Sequence, residues 1–335
     1  MQNTNNWPLE HWHIEISGKC SLKCPRCTRQ EVPGYVNTEL TLNWFETNFT
    51  FVEQVKKITF CGDDGDPIYA KDFLSVIKYL KNKNPNIQIV IVTNGSYKTK
   101  LWWQKLNKLL DNNDHVHFSL DGWDQESNNL YRINCNWQSI IEGVQQLDRP
   151  YLTWAAIAFK FNEEKIEHMK QMAKDLNFDN FQLTLSTKFG KNYDAYPKED
   201  PLQPSKKYVA TGRFQRLFTK LSSRNWQDVT YQLHSNRYKN ENVENQPIIP
   251  LCMIGNKGLY INAEGKFYPC CWTGLRYPHN KDIFEYIDFT KSLPEVLDDP
   301  MWKKLFLDLN FNKGPQECFE KCSAAKWNLE HATQW

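Results

Sequence analysis

Residues 13–27 read HIEISGKCSLKCPRC, a short apolar strand pattern that runs directly into three cysteines. These are Cys20, Cys24 and Cys27, so one loop carries the spacing Cys-x3-Cys-x2-Cys. Three thiolates on one loop can ligate three irons of a [4Fe–4S] cluster and leave the fourth iron open to another ligand. From the spacing alone, a zinc site with a remote fourth ligand is the alternative.

Strand and helix patterns alternate from this stretch to residue 186. The predicted strands are 13–17, 57–61, 87–93, 115–121, 152–159 and 181–186. The predicted helices between them are 41–55, 73–81, 100–110, 136–147 and 164–176. Six strands in alternation with helices predict an α/β fold with a parallel sheet, and periodicity leaves open whether that sheet is doubly wound or an incomplete barrel.

The chain changes character after residue 186. The segment 187–250 is polar, and we expect a connection that covers the substrate side, with one helix over 212–223. The run 258–271 predicts a β-hairpin around the turn Asn262-Ala263-Glu264-Gly265, and a helix is predicted over 292–309. The predicted organisation is a first domain over 1–205, a connecting segment over 206–250 and a C-terminal domain over 251–335.

Composition restricts the partners of the chain. It has 335 residues and a net charge of +2, so no global field favours nucleic acid or an anionic membrane surface. No apolar run approaches the roughly 18 residues of a membrane span, and the N-terminus lacks the pattern of a secretion signal. We therefore expect a cytoplasmic protein that binds neither nucleic acid nor membranes. The chain has ten cysteines, most of which lie in clusters. In a reducing cytosol, clustered cysteines predict metal or iron–sulfur ligation.

The loop of Cys20, Cys24 and Cys27, at the end of the first strand of a βα series, resembles that of the radical S-adenosylmethionine (SAM) superfamily. The resemblance implies a partial (β/α)6 TIM-like barrel, a [4Fe–4S] cluster on these cysteines, and SAM bound to the open iron. It also implies that SAM is cleaved reductively to methionine and a 5′-deoxyadenosyl radical, which abstracts a hydrogen atom from the substrate.

Further positions resemble the SAM contacts of this superfamily. Gly65-Asp66-Pro67 is similar to the end of its Gly-Gly-Glu-Pro motif, which implies a turn that faces the methionine ammonium of SAM. Ser119 and Arg132 resemble a polar SAM contact after the fourth strand and an arginine that reaches the SAM carboxylate. The alternatives are a solvated acidic turn at 65–67 and surface or packing roles for Ser119 and Arg132. Thr93 and Asn94 close the third strand at the same end.

Arg26 departs from the superfamily pattern. The residue before the third cysteine is often aromatic in the superfamily and packs on the adenine of SAM. A guanidinium can also stack on a base, so Arg26 either replaces the aromatic ring or faces solvent.

A second group of cysteines lies near the C-terminus, at Cys252, Cys270, Cys318 and Cys322. With the Ile-Asn-x-x-Gly hairpin and the Pro-Cys pair, it resembles the twitch and SPASM extensions of radical SAM enzymes. The resemblance implies a small twitch-type domain, built from a β-hairpin and a helix, in which four thiolates complete an auxiliary [4Fe–4S] cluster. Cys271 is either a spare or a rival of Cys270 for ligation, and a structural zinc ribbon is the alternative for the group.

The resemblance implies an enzyme that modifies a peptide or a small molecule by hydrogen abstraction. Four thiolates leave no open iron on the auxiliary cluster, so we expect it to accept an electron in a net oxidation. Peptide modification is the commonest role of radical SAM enzymes with such tails, and a peptide is therefore our first expectation. The electron donor would be a protein such as a flavodoxin or a ferredoxin.

Two other functions stay open at this stage. One is a non-enzymatic protein that binds zinc or iron–sulfur clusters at both cysteine groups. The other is a radical SAM methyltransferase, for which Cys61 or Cys135 would have to lie in the site. Both cysteines stand in apolar or strand-end sequence, and we expect them to be buried and inert.

Overall fold

The computed structural model describes residues 10–31, 36–186, 189, 199–210, 214–227, 259–268, 270–275, 291–292, 295–296 and 299–300. Most of the predicted helix over 292–309 lies outside these residues. The described residues form two compact units. The first unit takes residues up to 19, from 36 to 89 and from 227 onward, and the second takes 20–31 and those from 90 to 226.

The described part of the chain contains nine strands and eight α-helices. The strands are β1 (His11–Ile14), β2 (Lys57–Phe60), β3 (Gln88–Thr93), β4 (His115–Ser119), β5 (Tyr151–Ile157), β6 (Asn180–Ser186), β7 (Phe214–Lys220), β8 (Leu259–Ile261) and β9 (Phe267–Tyr268). The helices are α1 (Thr28–Glu31), α2 (Leu42–Asn48), α3 (Phe73–Lys83), α4 (Lys100–Leu109), α5 (Gln125–Asn129), α6 (Trp137–Val144), α7 (Ile166–Asp175) and α8 (Cys271–Leu275).

Side-chain caps begin several of these helices. Thr41, Thr99 and Asn136 each accept a hydrogen bond from a backbone N–H in the first turn of α2, α4 and α6. Such caps satisfy N–H groups that have no partner inside the helix. The predicted helix over 41–55 ends early, at Asn48, and a short 3-10 helix, Val52–Gln54, follows it.

In the first unit, β1 lies at the centre of the strands. It pairs in parallel with β2 on one side and with β8 on the other, where His13 lies opposite Tyr260. β8 and β9 form the predicted hairpin. The Gln88 N–H donates to the Lys56 carbonyl at 2.8 Å, which starts β3 beside β2. The C-terminal hairpin therefore extends the sheet beyond β1.

In the second unit, the strands are ordered β3-β4-β5-β6-β7, and all neighbours are parallel except the last pair. β7 runs antiparallel to β6, with Asn180 opposite Lys220. The helix predicted over 212–223 is therefore wrong. Apolar residues at 214, 217 and 218 have helical spacing, but hydrogen bonding to the edge of β6 outweighs this weak local preference.

One face of the second unit's sheet packs against α4 and the segment that follows α7. The ring of Phe118 lies 5.5 Å from that of Trp103 in α4, and the ring of Trp154 lies 5.5 Å from that of Phe178. The Trp154 indole N–H also donates to the Leu120 carbonyl at 3.0 Å. These side chains are buried, so this face forms the core of the unit.

The opposite face is open near the carboxyl ends of its strands. Every second residue near these strand ends is partly exposed. The residues that come earlier along the same face are buried; they are Gln88, Val90, His115, Tyr151 and Thr153. The partly exposed set is Val92, His117, Ser119, Ala155, Ile157, Thr184 and Ser186. In parallel α/β folds, binding sites lie at the carboxyl ends of the strands, so this face can receive a ligand.

The predicted fold class is confirmed: β1 to β6 alternate with helices in a parallel α/β fold of the partial (β/α)6 barrel type, and the hairpin and α8 follow. The three-part division into 1–205, 206–250 and 251–335 stays a prediction. Within the described residues, no helix combines the length and apolar character that crossing a bilayer requires.

Candidate functional site

The loop after β1 carries the first three cysteines as free thiols. Cys24 is buried, and Cys20 and Cys27 are partly exposed. The Cys27 N–H donates to the Cys24 carbonyl at 3.1 Å, and the Leu22 N–H lies 3.4 Å from the Cys20 sulfur. The loop is thus a compact turn that leads into α1.

Two polar side chains of the second unit approach these sulfurs. The Asn94 amide nitrogen, just after β3, lies 3.5 Å from the Cys20 sulfur. Burial raises the pKa of the Cys24 thiol, and the nearby Arg132 guanidinium opposes part of this rise by hydrogen bonding and charge. Donors of this kind stabilise thiolate ligands. Three cysteines with such support fit an iron–sulfur cluster.

Arg132 is held by a fully buried carboxylate. Its Nε lies 2.6 Å from Asp121 Oδ2, and Asp121 Oδ1 accepts from the Ile157 N–H at 2.7 Å. The Asn128 side chain accepts from the N–H groups of Asp121 and Gly122 at 2.9 and 3.1 Å. A Cβ on Gly122 would lie 2.1 Å from the Asn128 nitrogen, so only glycine allows this approach.

Neither the role of Asp121 nor the helix α5 that supports it was predicted from the sequence. The available signal was an acidic residue directly after an apolar strand, followed eleven residues later by an arginine. Helix α5 begins with a capping box between Asp124 and Ser127, a pattern that predicts a helix start.

Ser119 is the last residue of β4. It lies opposite Ala155 of β5, on the partly exposed face near the strand ends. This placement agrees with a ligand contact, and its predicted role toward SAM stays a prediction.

Arg26 does not face solvent. Its guanidinium forms an ion pair with the buried Asp200 and lies 5.3 Å from the centroid of the Phe189 ring. The guanidinium is therefore held between a buried carboxylate and an aromatic ring, and its stacking on the adenine of SAM stays a prediction. Neither Asp200 nor Phe189 stands in a motif, so the sequence carried no signal for them.

The turn Gly65-Asp66-Pro67 belongs to the first unit and is buried, which rules out a solvated turn. The Asp66 N–H donates to the Lys19 carbonyl at 2.8 Å. Asp66 Oδ1 accepts from the Ile68 N–H at 3.2 Å and caps a 3-10 helix, Pro67–Tyr69. A Cβ on Gly65 would lie 2.1 Å from the Ser17 carbonyl oxygen, so glycine is required for the backbones to approach.

Of the C-terminal cysteines, the described residues include only Cys270 and Cys271. Cys270 is partly exposed, and its sulfur lies 3.8 Å from the Thr273 hydroxyl. Cys271 is buried, and the assignment of Cys270 rather than Cys271 as the ligand stays a prediction. Cys252, Cys318 and Cys322 lie outside the described residues, and the ligand set stays a prediction.

Cys61 and Cys135 are buried, at 4% and 5% exposure, as expected. Burial raises the pKa of both thiols, so both are neutral around pH 7. A neutral, buried thiol is a poor nucleophile, which disfavours either cysteine as a methyl acceptor.

Two family models match the chain. The model of the radical SAM superfamily matches residues 14–176, and the SPASM model, an iron–sulfur cluster-binding domain, matches residues 252–324. The first match contains Cys20, Cys24 and Cys27, and the second contains Cys252, Cys270, Cys318 and Cys322. A search of curated proteins found no match.

A comparison with solved structures matches parts of the chain to three proteins, among others. SuiB of Streptococcus suis bound to S-adenosylmethionine has a TM-score of 0.49 and 15% identity, and the match covers 89% of this chain and 68% of SuiB. For anSMEcpe with bound AdoMet and the Cp18Cys peptide, the TM-score is 0.49 and the identity is 16%, and the match covers 96% of this chain and 87% of anSMEcpe. BtrN in complex with AdoMet and 2-DOIA has a TM-score of 0.29 and 19% identity, and the match covers 32% of this chain and 45% of BtrN.

Two substitutions can separate the observed role of Asp66 as a cap of residues 67–69 from its predicted role as a contact of the SAM ammonium. Asp66→Asn keeps an oxygen that caps residues 67–69 but removes the negative charge, whereas Asp66→Ala removes both. If the charge binds the SAM ammonium, both variants should bind SAM about tenfold more weakly. Isothermal titration measures the affinity, and thermal unfolding should show a loss of stability for Asp66→Ala alone. Wild-type affinity in Asp66→Asn would show that Asp66 acts only as a cap.

If Arg132 binds the SAM carboxylate, as the sequence predicts, Arg132→Met should weaken SAM binding by about tenfold or more, because a charge-assisted hydrogen bond would be lost. The measurement is SAM affinity at matched iron content under anaerobic conditions. Arg149→Met is the control, since Arg149 is exposed and donates to the Lys108 carbonyl in the same unit. If both variants bind SAM equally well, then Arg132 has only a packing role.

Proposed function

The chain belongs to the radical SAM superfamily and carries a SPASM iron–sulfur domain, and on this basis we propose that it is an enzyme that oxidises a peptide by hydrogen abstraction. Its cofactors are SAM and [4Fe–4S] clusters. We infer two clusters, one on Cys20, Cys24 and Cys27 and one on Cys252, Cys270, Cys318 and Cys322. A small-molecule substrate is the alternative within the same chemistry.

The observation that carries the proposal is the pair of donors at the first cysteine loop. Asn94 lies 3.5 Å from the Cys20 sulfur, and Arg132 lies beside Cys24. A structural zinc site needs four protein ligands, whereas the described residues around this loop supply three thiols and two nitrogen donors. This composition favours a cluster whose fourth iron is left for SAM.

The cluster, when bound, supplies the electron that cleaves SAM into methionine and a 5′-deoxyadenosyl radical. Arg132, held by Asp121, would bind the SAM carboxylate, while Gly65, Asp66 and Pro67 would bind its ammonium. Ser119 would add a polar contact. The partly exposed face at the ends of β3 to β6 is the surface that we assign to the substrate.

The four C-terminal cysteines would occupy every iron of the second cluster and leave no position for the substrate. This ligand set favours transfer of the electron that remains on the substrate after hydrogen abstraction, and hence a net oxidation. We propose a peptide substrate, a flavodoxin or ferredoxin as electron donor, and a cytoplasmic location.

Iron content and SAM cleavage test the first ligand set. Wild-type protein purified anaerobically should contain about eight irons, and changing Cys20, Cys24 and Cys27 together to Ala should leave about four. The triple variant should form no 5′-deoxyadenosine by mass spectrometry. Cys135→Ala is the control, because Cys135 is buried outside both sets.

The outcome that would contradict this assignment is 5′-deoxyadenosine formation by the triple variant. A colourless wild-type protein rich in zinc would instead support a non-enzymatic binding protein. Anaerobic incubation with SAM, reductant and candidate peptides, followed by a search for a mass change, identifies the substrate.

The second ligand set should be separable from radical formation. Cys318→Ala or Cys322→Ala should remove about four irons, allow SAM cleavage and stop substrate turnover, since the electron has no acceptor. Circular dichroism must show that the variant is folded, because metal ligation can also stabilise a domain. Multiple turnovers by a folded variant without this cluster would mean that the cluster is structural.

A further inference from the structure

Glu15, on β1 of the first unit, is a fully buried carboxylate. Its Oε1 accepts from the Asp63 N–H at 3.0 Å, and its Oε2 accepts from the Asp64 N–H at 3.1 Å. Both N–H groups belong to the turn that leads into Gly65-Asp66-Pro67. A single buried side chain therefore determines the backbone position just before the proposed SAM contacts.

The carboxylate of Asp64 continues this connection to the C-terminal hairpin. Asp64 Oδ2 accepts from the Ala263 N–H, at the tip between β8 and β9, at 3.1 Å. The carbonyl of Ala263 accepts from the Thr38 hydroxyl at 2.9 Å. Further along, the Glu15 N–H donates to the Ile261 carbonyl at 2.8 Å. The hairpin is thus bonded to the turn and to β1 at once.

These bonds cannot be lost without cost, because Glu15 is fully buried and Asp64 is partly removed from water. Burial raises the pKa of Glu15 and of Asp64, and backbone N–H donors oppose part of that rise. His13 Nε2 lies 3.5 Å from Glu15 Oε1, and the thiol of Cys61 lies in the same group, whose ligand atoms are within 4.8 Å of one another. A buried acceptor that loses its donor destabilises that arrangement.

The turn itself has no room to adjust. Gly65 packs so closely on residues 17–19 that a Cβ would meet three of their backbone atoms within 2.8 Å. The Asp66 N–H is bonded to Lys19. A shift of Asp64 is therefore transmitted to Gly65 and Asp66 instead of being absorbed between them.

We propose that Glu15 and Asp64 are positioning residues that couple the hairpin of the SPASM region to the SAM-binding turn. In this arrangement, SAM binds with full affinity only when Ala263 is seated on Asp64. The inference rests on the proposed function, in which Gly65, Asp66 and Pro67 contact SAM. Coupling between two sites is reciprocal, so SAM should also stabilise the hairpin.

The test uses the full-length protein with its clusters intact and compares three variants. Asp64→Ala removes the acceptor of the Ala263 N–H, and Asp64→Asn keeps an oxygen there. Asp72→Ala is the matched control, because Asp72 also accepts a backbone N–H in the first unit, from Leu42, and lies outside the hydrogen bonds that join Glu15, Asp64 and Ala263. SAM affinity is measured by titration, and hairpin opening by hydrogen exchange of the 259–268 amides.

Asp64→Ala should bind SAM about tenfold more weakly, at unchanged iron content, and its hairpin amides should exchange faster. Asp64→Asn should restore most of the affinity, and Asp72→Ala should bind SAM like the wild type. In the wild type, adding SAM should slow exchange at Ala263, and in Asp64→Ala it should not. A role in folding alone would not produce this SAM-dependent difference.

Wild-type SAM affinity in Asp64→Ala would overturn the coupling, as would hairpin exchange in the wild type that SAM does not change. A wild-type protein with intact clusters that fails to bind SAM would refute the proposed function, and with it any effect of Asp64 on SAM affinity. The wild-type titration therefore distinguishes the two failures.

Discussion

A carboxylate inside a protein is tolerated only when donors surround it, and Glu15 imposes this constraint on the first unit. Two consecutive N–H groups, those of Asp63 and Asp64, supply its hydrogen bonds. The turn that follows must then pass within van der Waals contact of residues 17–19, directly before Cys20, where only glycine fits. The location of one acidic side chain thus determines the path of the turn toward Gly65, Asp66 and Pro67.

In the second unit, a buried carboxylate is stabilised by an ion pair. Asp121 is fully buried, and burial raises its pKa while Arg132 opposes the rise. The carboxylate orients Arg132 beside Cys24, and α5 supports it through Asn128. Because the guanidinium is paired with Asp121, it stays charged although it is largely removed from bulk water. In this environment the charge can act on a thiolate or on an anionic ligand.

The failures of the sequence-based predictions share one physical origin. Residues 214–220 have apolar positions that suit a helix, yet they form β7 because the edge of β6 offers backbone hydrogen bonds. Arg26 departs from a motif, yet Asp200 and Phe189, more than 160 residues away in the chain, enclose its guanidinium. Local patterns carry no information about partners that arrive from distant segments.

Strand periodicity and cysteine spacing are local properties of the chain, so the order of its residues was enough to predict the βα alternation, the three-cysteine loop, the C-terminal hairpin and the resemblance to a superfamily. The folded structure was needed to find that Asp121 holds Arg132, that Asn94 approaches Cys20 and that Asp64 accepts a hydrogen bond from Ala263. It also decided that Asp66 is a buried cap rather than a solvated charge. Each of these depends on burial and on hydrogen bonds between segments far apart in sequence, which exist only once the strands have paired.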